Sequence, residues 1–314
     1  MTVSRKRIRR PRLPDRSETL TRKENTMRDL NYQLKQLCRH CREGSYATQT
    51  KRERMLTLIS NQLHELGYRG MSARSLKPKH IEALLEKWRE KGLSIGTIKN
   101  RMAAIRWWAN KVDKRNVVAR SNEHYGIPDR RFVTNESKAK TVTREQLEKV
   151  RDEYVRLSLE LQQAFGLRRE EAMKIRPCIA DQGDHLFLQR SWTKGGRERI
   201  VPIRTEQQRE LLDRAHRLAG RASLIPGNRN YVQQMRVYEG NTRRAGLHHM
   251  HGLRHSYAQK RYEELTGRAC PAAGGPVARE LTPEQRERDC AARLTISREL
   301  GHEREAVVGA YLGK

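Results

Sequence analysis

The chain is poor in aromatic side chains and has no long apolar run. Aromatic residues make up 5% of its 314 residues, and only three of them are phenylalanines. This scarcity argues against the stacked-aromatic surfaces of proteins that bind single-stranded nucleic acid. No apolar stretch approaches the roughly 18 residues of a membrane-spanning helix, and no signal-peptide pattern opens the chain. We therefore expect a soluble, cytoplasmic protein.

Acidic residues are also scarce, with 37 Asp and Glu against 66 Lys and Arg, a formal net charge of +29. Such an excess disfavours a compact protein unless a polyanion neutralises it. Nucleic acid is the natural partner, because Lys and Arg side chains displace the counterions of phosphates. The lack of an apolar anchor disfavours an anionic membrane surface, so the composition favours duplex DNA.

Cysteines and the usual metal and nucleotide motifs are equally sparse. The five cysteines are scattered, and Cys38-Arg-His-Cys41 has the spacing of half a zinc site without a second half. We interpret this pair as ordinary thiols. A phosphate-binding Gly-x-x-x-x-Gly-Lys-Ser/Thr loop and an acidic cluster for Mg²⁺ are both missing. The sequence thus predicts neither a cofactor nor a metal ion.

Periodicity divides the chain into two domains. Residues 1–26 carry nine Lys or Arg and two prolines, which predicts a disordered basic tail or an arm along DNA. Residues 27–118 are helical throughout, as in the stripe Leu56, Ile59, Leu63 and Leu66. Residues 119–140 are polar and charged, and we interpret them as a linker.

Residues 141–314 are mainly helical with one predicted hairpin. Alternation predicts strands at 184–190 and 199–203, with Lys194-Gly-Gly196 in the turn between them. A Gly-, Pro- and Arg-rich stretch near 266–290 has the character of an inserted loop. The fold class predicted for the whole chain is mainly α with a small antiparallel β-sheet (α+β).

Three motifs fit chemistry on a phosphodiester. Attack without a metal needs a nucleophile, cationic donors for the phosphorane, and an acid for the leaving oxygen. His251-Gly-Leu-Arg254 has i, i+3 spacing, which places both side chains on one face of a helix. Arg168 follows Phe165-Gly-Leu167 at a break between two apolar helices. Leu300-Gly-His302 precedes Tyr311 by nine residues.

These motifs, in this order, resemble those of tyrosine recombinases of the phage-integrase type. The resemblance rests on five segments of the chain and covers most of residues 143–314, with a helical core-binding domain before them. The segments are Gly166-Leu-Arg168-Arg-Glu-Glu171, Thr193-Lys194, His251-Gly-Leu-Arg254-His-Ser-Tyr-Ala, Leu300-Gly-His302 and Tyr311.

The resemblance implies a role for each matched residue. Tyr311 would attack the phosphate and form a 3′-phosphotyrosyl link, while Arg168 and Arg254 hold the non-bridging oxygens. Lys194 would protonate the leaving 5′-oxygen. The remaining matches are His251, which would assist proton transfer with Tyr311, His302, which would bond the phosphate, and Glu171, which would support the site structurally.

It also implies function and partners. We expect a metal- and ATP-independent recombinase that integrates or excises a mobile element in a bacterial nucleoid. Its two domains would close as a clamp around duplex DNA. It would assemble as a homotetramer on two sites in double-stranded DNA, with accessory DNA-bending proteins as further partners. A non-enzymatic DNA-binding protein on the same scaffold and a type IB-like topoisomerase are the alternatives.

Several residues keep competing interpretations. Tyr257 and Tyr262 are rival nucleophiles, although their place after Arg254 favours packing. His255 is more typical of a packing neighbour than of a catalyst, and Lys194 has the alternative of an exposed turn lysine.

Two departures from the family pattern stand out. The interval of 48 residues between Arg254 and His302 is unusually long, which a looped-out insertion would explain. Only Leu312-Gly-Lys314 follows Tyr311, so we expect this segment to be mobile until DNA or a neighbouring protomer orders it.

Overall fold

The computed structural model of the chain describes residues 29–302 and 304–314, so the basic tail expected at 1–26 lies outside the described residues. The chain forms two compact units, of which the first ends at Arg130 and the second spans Arg131–Lys314. Among the described helices, none has the length and apolar composition that crossing a membrane would require.

The first unit is built on four helices. Serine side chains cap two of them, because Ser45 and Ser94 accept bonds from the amides three residues on. Pro78 opens another at a position where its missing N–H is not needed. The helices are α1 (Asp29–His40), α2 (Tyr46–Glu65), α3 (Pro78–Glu90) and α4 (Ile95–Lys111).

The core of the first unit contains the apolar stripes that the sequence predicts. Trp88 and Trp108 lie at its centre with no exposed surface, and each indole N–H finds a buried oxygen. Cys38 is also buried there, on α1. The apolar faces of the helices therefore converge on one core, as their 3.6-residue period requires.

The stretch interpreted as a linker, 119–140, divides between the two units. Its first part packs on the first unit: Ile127 is buried in that core, and Arg106 donates to the carbonyls of Ala119 and Ser121. Its last ten residues belong to the second unit.

The second unit is helical with one small sheet. β1 (His185–Leu188) pairs antiparallel with β2 (Arg199–Pro202), in the register Leu186 opposite Val201. The predicted fold class, mainly α with a small antiparallel sheet, is confirmed. The helices are α5 (Arg144–Glu148), α6 (Glu153–Phe165), α7 (Arg169–Lys174), α8 (Pro177–Ala180), α9 (Glu206–Ala219), α10 (Tyr231–Arg244), α11 (Gly252–Thr266), α12 (Pro283–Glu299) and α13 (Glu305–Leu312).

The Gly- and Pro-rich stretch near 266–290 is ordered in the structure. It makes short 3₁₀ turns at Pro271–Ala273 and Ala278–Glu280 and then enters α12. Cys270 has no exposed surface and packs in the same core as Tyr311. The stretch therefore contributes directly to the packing around the end of the chain.

Candidate active site

Arg254 is a charged residue that is almost completely enclosed, with 1% of its surface exposed. Its Nη1 donates to the carbonyl of Gly166 at 2.6 Å, and its Nη2 donates to the carbonyl of Leu300. Its Nε donates to the hydroxyl of Tyr311 at 3.2 Å. Burial lowers the pKa of Arg254 to about 10, so it stays charged at neutral pH. The guanidinium is thus held by two carbonyls and points its Nε at the tyrosine.

The two carbonyls come from the C-terminal ends of two helices. Gly166 ends α6 with φ +60°, and Leu300 ends α12 just before Gly301 at φ +69°. A helix C-terminus presents unpaired carbonyls and a partial negative charge, which suits a buried cation. The positive φ of Gly166 favours glycine. Glycine is also required because a Cβ there would lie 2.5 Å from the ring of Tyr257.

Arg168 is fixed by a buried carboxylate. It precedes α7, and Glu171 in the first turn accepts from its backbone N–H at 2.6 Å and from its Nη1 at 2.7 Å. Glu171 has no exposed surface, whereas a fifth of the Arg168 side chain is exposed. The acidic residue therefore orients an arginine that still reaches the surface.

Arg199 is a site residue that the motifs did not identify. From β2 it donates two bonds to Glu171, at 2.9 and 2.5 Å, and its Nε donates to the carbonyl of Glu299 at 2.9 Å. Burial alone would raise the pKa of Glu171, but the hydrogen bonds from Arg199 and its charge lower that pKa to about 2. Strand alternation places Arg199 on the same inward face as Val201, which is the signal that could have found it.

Three histidines surround the ring of Tyr311. The ring centroid of His255 lies 4.7 Å from that of Tyr311, and those of His251 and His302 lie 6.1 and 6.2 Å away. Tyr311 itself is 7% exposed. The structure therefore brings together five predicted site residues: Arg168, His251, Arg254, His302 and Tyr311.

The histidines are neutral at physiological pH. Burial and the charge of Arg254 lower the pKa of His302 to about 4, and burial beside His251 and Lys138 lowers that of His255 to about 4. Desolvation and Arg254 also lower the pKa of His251. Within the described residues, the buried Nε2 of His302 has no hydrogen-bond partner. An unpaired polar atom at this depth is costly, which points to a ligand that completes it.

Lys194 does not join this cluster. It lies exposed in the turn between β1 and β2, and no hydrogen bond or ion pair links it to another described residue. Its charge still contributes to the lowered pKa of His251. Its role as a proton donor therefore stays a prediction.

The two rival tyrosines lie elsewhere and donate to carboxylates. The hydroxyl of Tyr257 bonds Glu299 at 2.7 Å, and that of Tyr262 bonds Asp289 at 2.5 Å. Burial raises the pKa of both phenols. Neither is suited to become a nucleophile, because the phenolate would face a carboxylate.

The segment after Tyr311, expected to be mobile, is docked on its own unit. Arg293 donates to the carbonyl of Gly313 at 2.9 Å, and Asn135 bonds the backbone of Lys314. The insertion supplies part of this support, since a Cβ on Gly313 would lie 2.8 Å from the amide nitrogen of Ala272.

Comparison with known proteins gives family and structural matches. Residues 27–118 match the family model described as the N-terminal domain of phage integrases, and residues 129–260 match the one described as integrase. No curated protein sequence matches the chain.

Solved structures match at low sequence identity, so they inform on fold alone. A lambda integrase dimer bound to a COC′ core site matches with a TM-score of 0.57 and 14% identity, over 95% of this chain and 81% of that one. XerH recombinase bound to palindromic difH matches at 0.55 and 17%, over 90% and 81%. The integrase of transposon Tn1549 with circular-intermediate DNA matches at 0.51 and 15%, over 92% and 96%.

Proposed function

The chain belongs to the phage integrase family of tyrosine recombinases, and we propose that it cuts and rejoins duplex DNA at specific sites through Tyr311. The observation that carries this proposal is the bond from the buried Arg254 to the Tyr311 hydroxyl. A charged donor that contacts the phenol oxygen can hold that oxygen in place and follow it onto phosphorus.

In the proposed reaction, the Tyr311 oxygen attacks the scissile phosphorus and its proton passes to the neutral His251. The bond from phosphorus to the 5′-oxygen breaks, and that oxygen takes a proton from Lys194. The products are a 3′-phosphotyrosyl ester and a free 5′-hydroxyl. One phosphoester is exchanged for another, so the reverse attack by a 5′-hydroxyl of a new partner rejoins DNA without ATP.

Arg168 and Arg254 stabilise the charge that develops on the non-bridging oxygens. Arginine suits this role because its planar fork gives permanently charged donors to two oxygens at once. His302, whose buried Nε2 has no partner among the described residues, would complete the set by hydrogen bonding to the phosphate. Bonds to Glu171 and to the carbonyl of Gly166 hold Arg168 and Arg254, which limits their reorganisation during the reaction.

The proposed assembly follows from strand counting. Two duplexes contain four strands, so a complete exchange needs four nucleophilic tyrosines. Among the structural matches is a lambda integrase tetramer bound to a Holliday junction. We extend this to a tetramer of the present chain on two DNA sites, used to integrate or excise a mobile element.

A nicked suicide substrate tests the proposal. A nick beside the cleavage site lets the 5′-hydroxyl fragment diffuse away, so the protein stays covalently attached to DNA. We expect a stable adduct in EDTA that Tyr311→Phe abolishes while DNA binding is retained. Tyr262→Phe, which removes a rival phenol, should leave the adduct intact.

Each other outcome has a distinct meaning. An adduct that survives Tyr311→Phe refutes the nucleophile. Tight binding without any adduct on the cognate site supports the non-enzymatic alternative. Relaxation of supercoiled DNA with no recombinant product supports the topoisomerase.

A further inference from the structure

A short segment of the second unit without regular secondary structure, residues 135–140, lies against the site; we name it the strap. Its first residue, Asn135, makes two hydrogen bonds with the backbone of Lys314. Nδ2 of Asn135 donates to the carbonyl of Lys314 at 3.0 Å, and the backbone N–H of Lys314 donates to Oδ1 of Asn135 at 2.9 Å. These bonds join positions 179 residues apart in the sequence. Asn135 thereby holds the chain three residues beyond Tyr311.

A second contact reaches Tyr311 itself. The hydroxyl of Ser137 donates to Oε1 of Gln259 at 3.0 Å, and Nε2 of Gln259 donates to the carbonyl of Tyr311 at 3.1 Å. Gln259 lies on α11, the helix that carries Arg254. Its amide therefore connects the strap, the arginine helix and the nucleophile helix.

The last residue of the strap holds the start of α11. The amide of Lys140 donates to the carbonyl of Gly252 at 3.0 Å. A Cβ on Gly252 would lie 2.4 Å from the Cγ of Lys140 and 2.7 Å from the carbonyl of Lys138. Glycine at this position permits the close approach of the strap to the backbone beside His251.

The nucleophile helix needs such support because it is short. α13 has eight residues, and a helix of that length is marginal without tertiary contacts. The hydroxyl of Tyr311 lies at the far end of its side chain, so a small rotation of the helix displaces it from Arg254. A displacement of about 1 Å at a reacting atom can cost about a hundredfold in rate.

We propose that the strap, together with Gln259 of α11, positions the nucleophile: Asn135 holds the backbone of Lys314 and Gln259 holds the carbonyl of Tyr311, at the distance that Arg254 requires. The inference rests on the proposed function, since it assigns Tyr311 as the attacking group. Neither Asn135 nor Gln259 contacts the reacting atoms; both act through Tyr311.

The test compares Asn135→Ala and Gln259→Glu with Glu136→Ala, an exposed neighbour in the strap. Gln259→Glu keeps the acceptor for Ser137 but loses the donor to Tyr311. We expect each of the first two to form the covalent adduct roughly tenfold more slowly at saturating protein. Their Kd for DNA, their fraction folded and the pH profile of the rate should be unchanged, and Glu136→Ala should match the wild type.

A wild-type rate in both variants overturns the proposal, as does a rate loss fully accounted for by weaker binding or unfolding. Amide hydrogen exchange of residues 305–314 gives a readout independent of cleavage, and Asn135→Ala should accelerate it roughly fivefold. If Asn135→Ala leaves the exchange of residues 305–314 unchanged, the proposed role of the strap is wrong, even if the wild-type protein cleaves DNA. If Asn135→Ala accelerates exchange but the wild-type protein never forms an adduct, the strap does support α13 and the proposed function is wrong.

Discussion

Removing the buried carboxylate with Glu171→Gln tests the network that fixes the arginines. Glu171 has no exposed surface and accepts bonds from both Arg168 and Arg199. Its pKa falls from 4.5 to about 2 in the folded protein, which corresponds to about 3 kcal/mol in favour of the folded state at neutral pH. Breaking a buried ion pair from one side gives a similar cost of about 3–5 kcal/mol. We therefore expect the second unit to lose about 3 kcal/mol of unfolding free energy.

Glu170→Gln is the matched control, because Glu170 is the preceding residue on the same short helix. Its carboxylate pairs with Lys174 at 2.5 Å but is 45% exposed, so its loss should cost below about 0.5 kcal/mol. Urea unfolding at pH 7 measures both variants, followed by hydrogen exchange of peptides from the second unit. Site-resolved detection is needed because two units need not unfold together.

The pH dependence gives a second check with a defined sign. A carboxyl whose pKa is lowered on folding stabilises the protein above the unfolded value of 4.5, and this contribution disappears as the pH falls toward about 2. The difference between wild type and Glu171→Gln should therefore shrink below pH 4.5. A Glu171→Gln protein as stable as Glu170→Gln at pH 7 would refute the buried network.

Three further changes probe the surroundings of the site. Gly166→Ala should destabilise the second unit by at least about 2 kcal/mol in urea unfolding, because its Cβ would overlap an aromatic ring, whereas Gly267→Ala, with a similar φ and open space, should cost about 1 kcal/mol. Folding lowers the pKa values of His255 and His302 from 6.5 to about 4, so the unfolding free energy should fall by up to about 3 kcal/mol for each as the pH falls from 6.5 to 4. An unfolding free energy in urea that does not change over that range would contradict this. Lys194→Ala should slow cleavage of ordinary DNA, yet cleave a 5′-bridging phosphorothioate at nearly the wild-type rate because a thiolate leaves without a proton; equal defects on both substrates would exclude the acid role.

The helices could be predicted from sequence because their signals are local, whereas the convergence of the motif residues is what the resemblance to a family implies. Apolar residues at a 3.6-residue period define the buried face of each helix. The i, i+3 spacing of His251 and Arg254 places both on one face of α11, where they meet Tyr311. In these cases, the order of residues along one element is enough to determine which side chains share a surface.

Contacts between distant segments could not be predicted in this way. Arg199 is one of many arginines in a basic chain, and its bonds to Glu171 depend on how β2 packs against α7. Asn135 reaches Lys314 because residues 135–140 lie beside α11, to which Ser137 and Lys140 are hydrogen-bonded. The contacts of the residues after Tyr311 with Arg293 and Asn135 are subject to the same limit. A short terminal segment has no periodicity, so its order depends on partners that lie elsewhere in the chain.

The charge balance of the site gives its chemistry a further physical basis. Arg168, Arg199 and Arg254 bring three positive charges, and the one carboxylate in their hydrogen-bond network, Glu171, is shared by two of them. Helix-end carbonyls hold Arg254 without neutralising it. The network therefore has a net charge of +2. The three histidines add no charge, because their lowered pKa values leave them neutral at physiological pH. A phosphodiester carries one negative charge, and its complex with an attacking phenolate carries two. The fixed charges thus match the proposed transition state better than the bound substrate, which is the condition for raising the rate of the chemical step.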